Sequence, residues 1–170
     1  MRNWENCDRC VFASGRKVHY RGSKKPTVLF VASTLEQGDT ITGVPLGGLG
    51  GRLLDSICAT VGLNSYGVTS IVSCHPHDPE TPSLSRKATE EEVKNCSERL
   101  EEVVELMGAE FYITLGPLAK KWLPEGIKPA LEFSCFTDWV SKGEETSLCW
   151  KRDRHKLRKF IVENREKKRG

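Results

Sequence analysis

Thr27-Val28-Leu29-Phe30-Val31-Ala32 and, after an intervening loop, Gly47-Gly48-Leu49-Gly50-Gly51-Arg52-Leu53-Leu54 carry the reading of the fold. The first stretch is a short, continuous, β-branched-rich apolar run that follows Lys24-Lys25-Pro26, the pattern of a strand buried on both faces. The loop between them holds Gly38, Gly43 and Pro45, and Leu53, Leu54, Ile57, Val61 and Leu63 then recur at helical spacing. The unit is strand, glycine-rich loop, helix. Downstream, residues 68 to 73 read as a second strand closed by Cys74 and a polar, proline-containing loop through about Lys87. Thr89 with Glu92 forms a capping-box signal, and Val93, Cys96, Leu100, Val103 and Met107 mark the buried stripe of the helix it opens. Phe111-Tyr112-Ile113-Thr114-Leu115 is a third strand, stopped at Gly116 before a short helix over Pro117 to Leu123. Strands alternating with helices predict a three-layer α/β/α fold around a central, mainly parallel sheet, with ligands at the strand ends. Residues 124 to 150 offer a strand at Leu131 to Phe136 and no clear periodicity.

At 170 residues, with 38% apolar and 29% charged side chains, the chain has the length of one domain, and a single domain over 1–170 is expected. No run approaches the roughly 18 apolar residues that span a bilayer, and the N-terminus lacks an apolar signal run, so an intracellular, monomeric protein without membrane contact is expected. The net charge of +3 is unevenly spread: residues 151 to 170 carry ten Lys/Arg against three Asp/Glu, a local +7 against −4 for the first 150 residues. A basic helix over about 153–168, with Leu157, Phe160 and Ile161 facing inward, is the consequence. Such a stripe suits a polyanion or a solvated terminal helix, and charge alone leaves both open.

Seven cysteines in such a chain, an odd number, argue against a disulfide framework and for a metal or a cluster. Cys7-Asp8-Arg9-Cys10 sets two thiolates on one turn, and Cys74 and Cys96 fall at a strand end and on the following helix. Scattered third and fourth ligands suit a cluster set into a larger fold. Zinc held by Cys7, Cys10 and Cys74 with His75 or His77 is the alternative. Cys58, inside the helix after the glycines, reads as core.

In order, these pieces resemble the iron-sulfur branch, often called family four, of the uracil-DNA glycosylase superfamily. That family's first motif, Gly-Glu-x-Pro-Gly-x-x-Glu-Asp-x-x-Gly-x-Pro-Phe-x-Gly-x-x-Gly-x-Leu-Leu, aligns without a gap on Ala32 to Leu54. Its strand end before the third cluster cysteine is similar to Thr69-Ser70-Ile71-Val72-Ser73-Cys74-His75-Pro76, and its Leu-Gly-x-x-Ala segment to Leu115-Gly116-Pro117-Leu118-Ala119. The resemblance implies a 4Fe-4S cluster on Cys7, Cys10, Cys74 and Cys96, DNA as partner, and hydrolysis of the N-glycosidic bond of uracil or a modified pyrimidine. At the positions that carry the family's base recognition and catalysis the chain differs: in this motif Ser33 stands for the first acid and Leu46 for the base-stacking aromatic, and in the later segment Ser70 stands for the base-reading Asn. A small-residue pocket of Ser33, Thr34, Leu46 and Ser70 would then take the substrate. Asp39 occupies the second acidic position, as a catalytic acid or as a loop cap, with Glu36 a further acid. Gly48 and Gly50, with Lys151, Arg152, Arg154 and Arg158, are expected at DNA phosphates. The family's C-terminal His-Pro-Ser loop has no counterpart around Thr146 to Arg152. A catalytically inactive DNA-binding or replication-accessory protein of this fold is the alternative function.

Overall fold

A computed structural model describes residues 4–140 and 148–167. After a 3-10 turn (Trp4–Asn6), the strands are β1 (Tyr20–Gly22), β2 (Val28–Ala32), β3 (Tyr66–Ser70), β4 (Phe111–Leu115) and β5 (Leu131–Phe133). The helices are α1 (Gln37–Thr42), α2 (Leu49–Thr60), α3 (Glu90–Met107), α4 (Pro117–Lys121), α5 (Phe136–Val140) and α6 (Leu148–Lys167).

Every residue of β2 is buried, and β2 lies at the centre of a sheet ordered β1-β3-β2-β4-β5. It pairs in parallel with β3 on one side and β4 on the other, β5 continues in parallel, and only β1 runs antiparallel. Alternation along β2 splits the core in two. Val28, Phe30 and Ala32 face α2, α5 and α6 through Leu54, Ile57, Trp139 and Leu157. Leu29 and Val31 face α3 and α4 through Val93, Leu100, Val103 and Ala119. The result is the three-layer α/β/α arrangement that the alternating pattern predicts.

Local chemistry sets the ends of these elements. Thr89 and Glu92 form the capping box of α3, and Gly108 ends the helix in the left-handed conformation. The five apolar residues expected inside α3 are all buried, as is Cys58 in α2. Leu157 and Ile161 of α6 face inward as expected, with Phe160 packed against the same core.

Several boundaries differ from the sequence reading: the strand expected over residues 68 to 73 runs Tyr66–Ser70, the helix expected over Pro117 to Leu123 stops at Lys121, and three further differences lie at β5, in the loop after β2 and at α6. Leu131 to Phe136 is not one strand: β5 stops at Phe133 and Phe136 starts α5, because the Asp153 carboxylate of α6 takes the Ser134 N–H at 2.8 Å and the Trp139 Nε1–H at 3.0 Å. The loop after β2 contains a helix, α1. The last helix already includes Leu148 to Arg152, ahead of the expected start, and Trp150 there packs into the core and donates to the Leu53 carbonyl. Its expected end, residue 168, lies outside the described residues, as do Thr146 and Ser147. Helix α6 runs back along the strands: Asp153 sits at Ser134, Lys156 bonds the Glu132 carbonyl, Phe160 stacks edge-on with Phe111, and Arg165 reaches Gly62.

Asp153 is fully buried. Replacing it with Ala leaves the buried Trp139 indole N–H and the part-buried Ser134 N–H without an acceptor, and we expect a loss of about 3 kcal/mol in urea denaturation. A loss below about 1 kcal/mol would show that the α6 tie does not hold the β5 turn.

Candidate active site and four-cysteine cavity

The parallel register brings Ala32, Ser70, Leu115 and Phe133 to one level, so the loops after these strands gather at one edge of the sheet. The loop after β2 is closed by Asp39, which is 2% exposed. Its Oδ2 accepts the Glu36 N–H at 3.0 Å and its Oδ1 accepts the Gly47 N–H at 2.7 Å, so one carboxylate ties both ends of the loop. Arg21 steadies the second half, donating from Nε to the Pro45 carbonyl and pairing with Asp55 at 2.8 Å. Leu46 is held at φ 52°, the one non-glycine residue with positive φ among the described residues. Its carbonyl presses on Gly51, where a Cβ would come within 1.7 Å. Phe136 closes over Gly50 from the far side, within 2.6 Å of where a Cβ would be.

These pieces enclose an open cavity of about 360 Å³. Leu46 and Gly48 to Gly51 form its floor, Glu36 and Asp39 one wall, and Phe136 with Thr137 the other. Burial raises the Asp39 carboxyl above the usual range, against the pull of its backbone N–H donors. Glu36, half-buried beside it, is raised by burial and then by the Asp39 charge. Two acids of perturbed affinity for protons thus share one cavity with an aromatic ring.

Not every expected site residue is here. Leu46 lines the cavity, but the pocket of Ser33, Thr34, Leu46 and Ser70 is not assembled. Ser33 is buried with its hydroxyl 3.7 Å from Cys135 Sγ, Thr34 bonds the Leu35 carbonyl, and Ser70 is sealed beneath α3, its carbonyl taken by Arg99. The strand ends are packed, and the space opens over the loop instead. Gly50 is not at an open phosphate position, because it lies in the first turn of α2 under Phe136; Gly48 holds the helix N-cap. Asp39 is not a solvated loop acid. Of the basic residues, Lys151 and Arg152 stand in the first turn of α6, with Arg152 bonded to the Ser134 hydroxyl. Arg154 covers the Trp150 ring at 4.8 Å. Arg158 follows α6 away from the cavity, between the levels of Glu132 and Phe111.

On the opposite face of the sheet, Cys7, Cys10, Cys74 and Cys96 line a second cavity together with Lys17 and Arg99. The N-terminal segment is docked on α3: Trp4 Nε1 donates to Glu102 at 3.0 Å, Arg9 pairs with Glu98 at 3.1 Å, and Asn95 donates to the Arg9 carbonyl at 2.9 Å. That docking carries the Cys7–Cys10 turn to Cys96. Burial, and then the neighbouring Cys10, push the Cys74 thiol up to about 12, and burial raises Cys96 as well. Thiolates form here only with compensation, and the cavity wall supplies two buried cations. Among the described residues, no three His, Cys, Asp or Glu side chains are grouped tightly enough for a single metal ion. The histidines of the zinc alternative are engaged elsewhere, His75 Nε2 with the Ser85 hydroxyl at 2.8 Å and His77 Nδ1 with the His75 carbonyl at 2.9 Å.

A profile of the Uracil DNA glycosylase superfamily matches residues 19–162. The chain belongs to that superfamily. It is 27% identical over 104 residues to a type-4 uracil-DNA glycosylase of Archaeoglobus fulgidus, a match covering 60% of this chain and 49% of the relative. A type-4 uracil-DNA glycosylase of Saccharolobus solfataricus is 28% identical over 122 residues, covering 69% of this chain and 54% of the relative. The chain thus spans about half the length of these relatives.

Two features of this superfamily member escaped the sequence reading. Phe136 sits in the stretch without periodicity, and nothing local marks it as facing the glycines. Arg99 had a visible signal, since it stands three residues after Cys96 on the buried stripe of α3, where an unpaired cation is out of place.

Two measurements probe the cavity. Gly51→Ala drives a methyl into the Leu46 carbonyl and is expected to cost about 2 kcal/mol, whereas Gly38→Ala, with nothing within 4 Å, is neutral or slightly stabilising; equal effects would refute the close approach. Because the folded chain holds the Glu36 proton more tightly than the unfolded chain does, its contribution to stability is complete below the ordinary carboxyl range and is lost as pH rises through the higher folded value. Denaturation of wild type against Glu36→Gln between about pH 4 and about pH 7 should show wild type losing ground as pH rises.

Proposed function

We propose that this chain is an iron-sulfur DNA glycosylase that binds DNA at the strand-end loops and hydrolyses the N-glycosidic bond of uracil or a modified pyrimidine. The observation that carries the reading is the convergence of Glu36, Asp39, Leu46 and Phe136 on one cavity at the edge of the sheet where this fold places ligands. A base must leave the stack and enter a pocket that holds its faces. Leu46 and the Phe136 ring offer those apolar surfaces, and Phe136 supplies the aromatic character that Leu46 lacks. Both oxygens of Asp39 accept backbone N–H groups, so it acts mainly by holding the loop, with its charge close to the sugar. Glu36 is the better-placed acid to hold the attacking water and to offset positive charge on the sugar carbon. Gly48, Lys151 and Arg152 border this side and serve the phosphates.

Cys7, Cys10, Cys74 and Cys96 are the residues that would hold a 4Fe-4S cluster. Bound there, it would cross-link the N-terminal turn, the end of β3 and α3. The four sulfur donors and the two buried cations around them fit such an anionic group.

A catalytically inactive DNA-binding protein is the second reading, favoured by the engaged oxygens of Asp39 and by the burial of Ser70 away from the cavity. End-labelled single- and double-stranded DNA carrying uracil or hydroxymethyluracil, incubated with excess protein and cleaved with alkali, separates the two. We expect abasic sites, reduced about 100-fold or more in Glu36→Gln. DNA binding without cleavage of any substrate would select the inactive protein.

A further inference from the structure

We propose that Arg99 and Lys17 are the built-in counter-charge of the four-cysteine cavity, and that Arg99 also couples this cavity to the C-terminal end of β3. The inference rests on the reading of that cavity as the seat of a 4Fe-4S cluster.

Arg99 is 1% exposed, yet the hydrogen bonds of its guanidinium go to oxygens without charge: the Thr69 hydroxyl at 3.1 Å, the His19 carbonyl at 3.4 Å and the Ser70 carbonyl. Its Nε has no hydrogen-bond partner among the described residues. A guanidinium buried this way is costly unless negative charge stands close by. Lys17 repeats the situation at 7% exposure, its Nζ held by the Ala13 and Gly15 carbonyls.

What both cations share is the cavity. Its wall carries Lys17, Arg99 and four cysteines, and the residues that complete it (Trp4, Arg9, Ser73 and Asn95) include no carboxylate. Neutral thiols leave both charges without an opposite in that wall. Four thiolates around an iron-sulfur core carry net negative charge, and at short range in a poorly polarisable interior the two cations offset it. Cys96 precedes Arg99 by one helical step on the same stripe of α3, so ligand and counter-charge are positioned by one element. The same guanidinium grips Thr69 and Ser70, so the charge balance of the cavity bears on the strand end.

The test compares wild type, Arg99→Met, Arg99→Lys, Lys17→Met and Thr69→Val, purified without oxygen. Iron and sulfide per chain, the rate at which visible absorbance is lost in air, and the midpoint potential in a redox titration are read for each. Arg99→Met is expected to lose absorbance several-fold faster than wild type and to shift the potential of the remaining cluster to more negative values. Arg99→Lys should restore the potential, and Lys17→Met should shift it in the same direction by less. Thr69→Val, which cuts a tie but keeps the charge, should lower the melting temperature and leave the potential in place. An unchanged potential and loss rate in Arg99→Met reduces Arg99 to a packing residue and overturns the inference alone. Should that variant fail to fold, Lys17→Met decides, and an unshifted potential there overturns it equally. Wild type without iron and sulfide overturns the cluster reading itself and this inference with it.

Discussion

A five-residue strand without an exposed side chain, Val28–Ala32, must be covered on both faces. The cover it takes fixes most of the molecule. Helices α2, α5 and α6 meet Val28, Phe30 and Ala32, and α3 with α4 meets Leu29 and Val31. Because β3 and β4 flank β2 on opposite sides, the chain leaving β2 starts at the point where the strand order reverses direction. The loop after β2 is therefore free to rise over the sheet edge instead of crossing it. That freedom is what the cavity uses.

A loop of this kind has polar backbone groups that the interior cannot hydrate, and two buried carboxylates meet the need. Asp39 takes the backbone N–H groups of Glu36 and Gly47 in the loop after β2, and Asp153 takes the backbone N–H of Ser134 and the indole N–H of Trp139 after β5. Each wall of the cavity is thus held by one acid. Bonds from N–H to an ionised carboxylate are stronger than neutral ones, which lets short loops keep a strained residue such as Leu46 in place. The arrangement also divides labour between the acids. Asp39 and Asp153 are occupied by structure, and Glu36, half-buried on the same wall as Asp39, lines the cavity from the N-cap of α1.

The sheet and its two layers were legible because burial on both faces writes continuous apolar runs, and because α3 announces itself through Thr89, Glu92 and a regular stripe. Helix α1 was not. Its six residues, Gln37–Thr42, are too few to show a period, and they form because Asp39 and Glu36 close the turn. Strand β1 was hidden for a related reason, having three residues and an antiparallel partner in β3 that no local pattern reveals. The cysteines could be gathered from order and spacing, whereas the open cavity could not. Ser33 and Ser70 carry the right positions in the chain and the wrong exposure, and Phe136 reaches the glycines only because Asp153, far along the sequence, halts β5 before it.

The two cavities lie on opposite faces of the sheet and depend on different elements. The cysteine cavity is built by the N-terminal segment, the turn after β3 and α3; the open one is built by the loops after β2 and β5 with the start of α2. Nothing in the second group is needed to dock Trp4 on Glu102 or Arg9 on Glu98. The open cavity can therefore change its residues while the cysteine side stays intact. Leu46 and Phe136 are an instance of that independence. Leu46 comes from the loop after β2 and Phe136 from the first turn of α5, and the glycines they meet, Gly51 and Gly50, belong to a helix start that the core already fixes through Leu54 and Ile57.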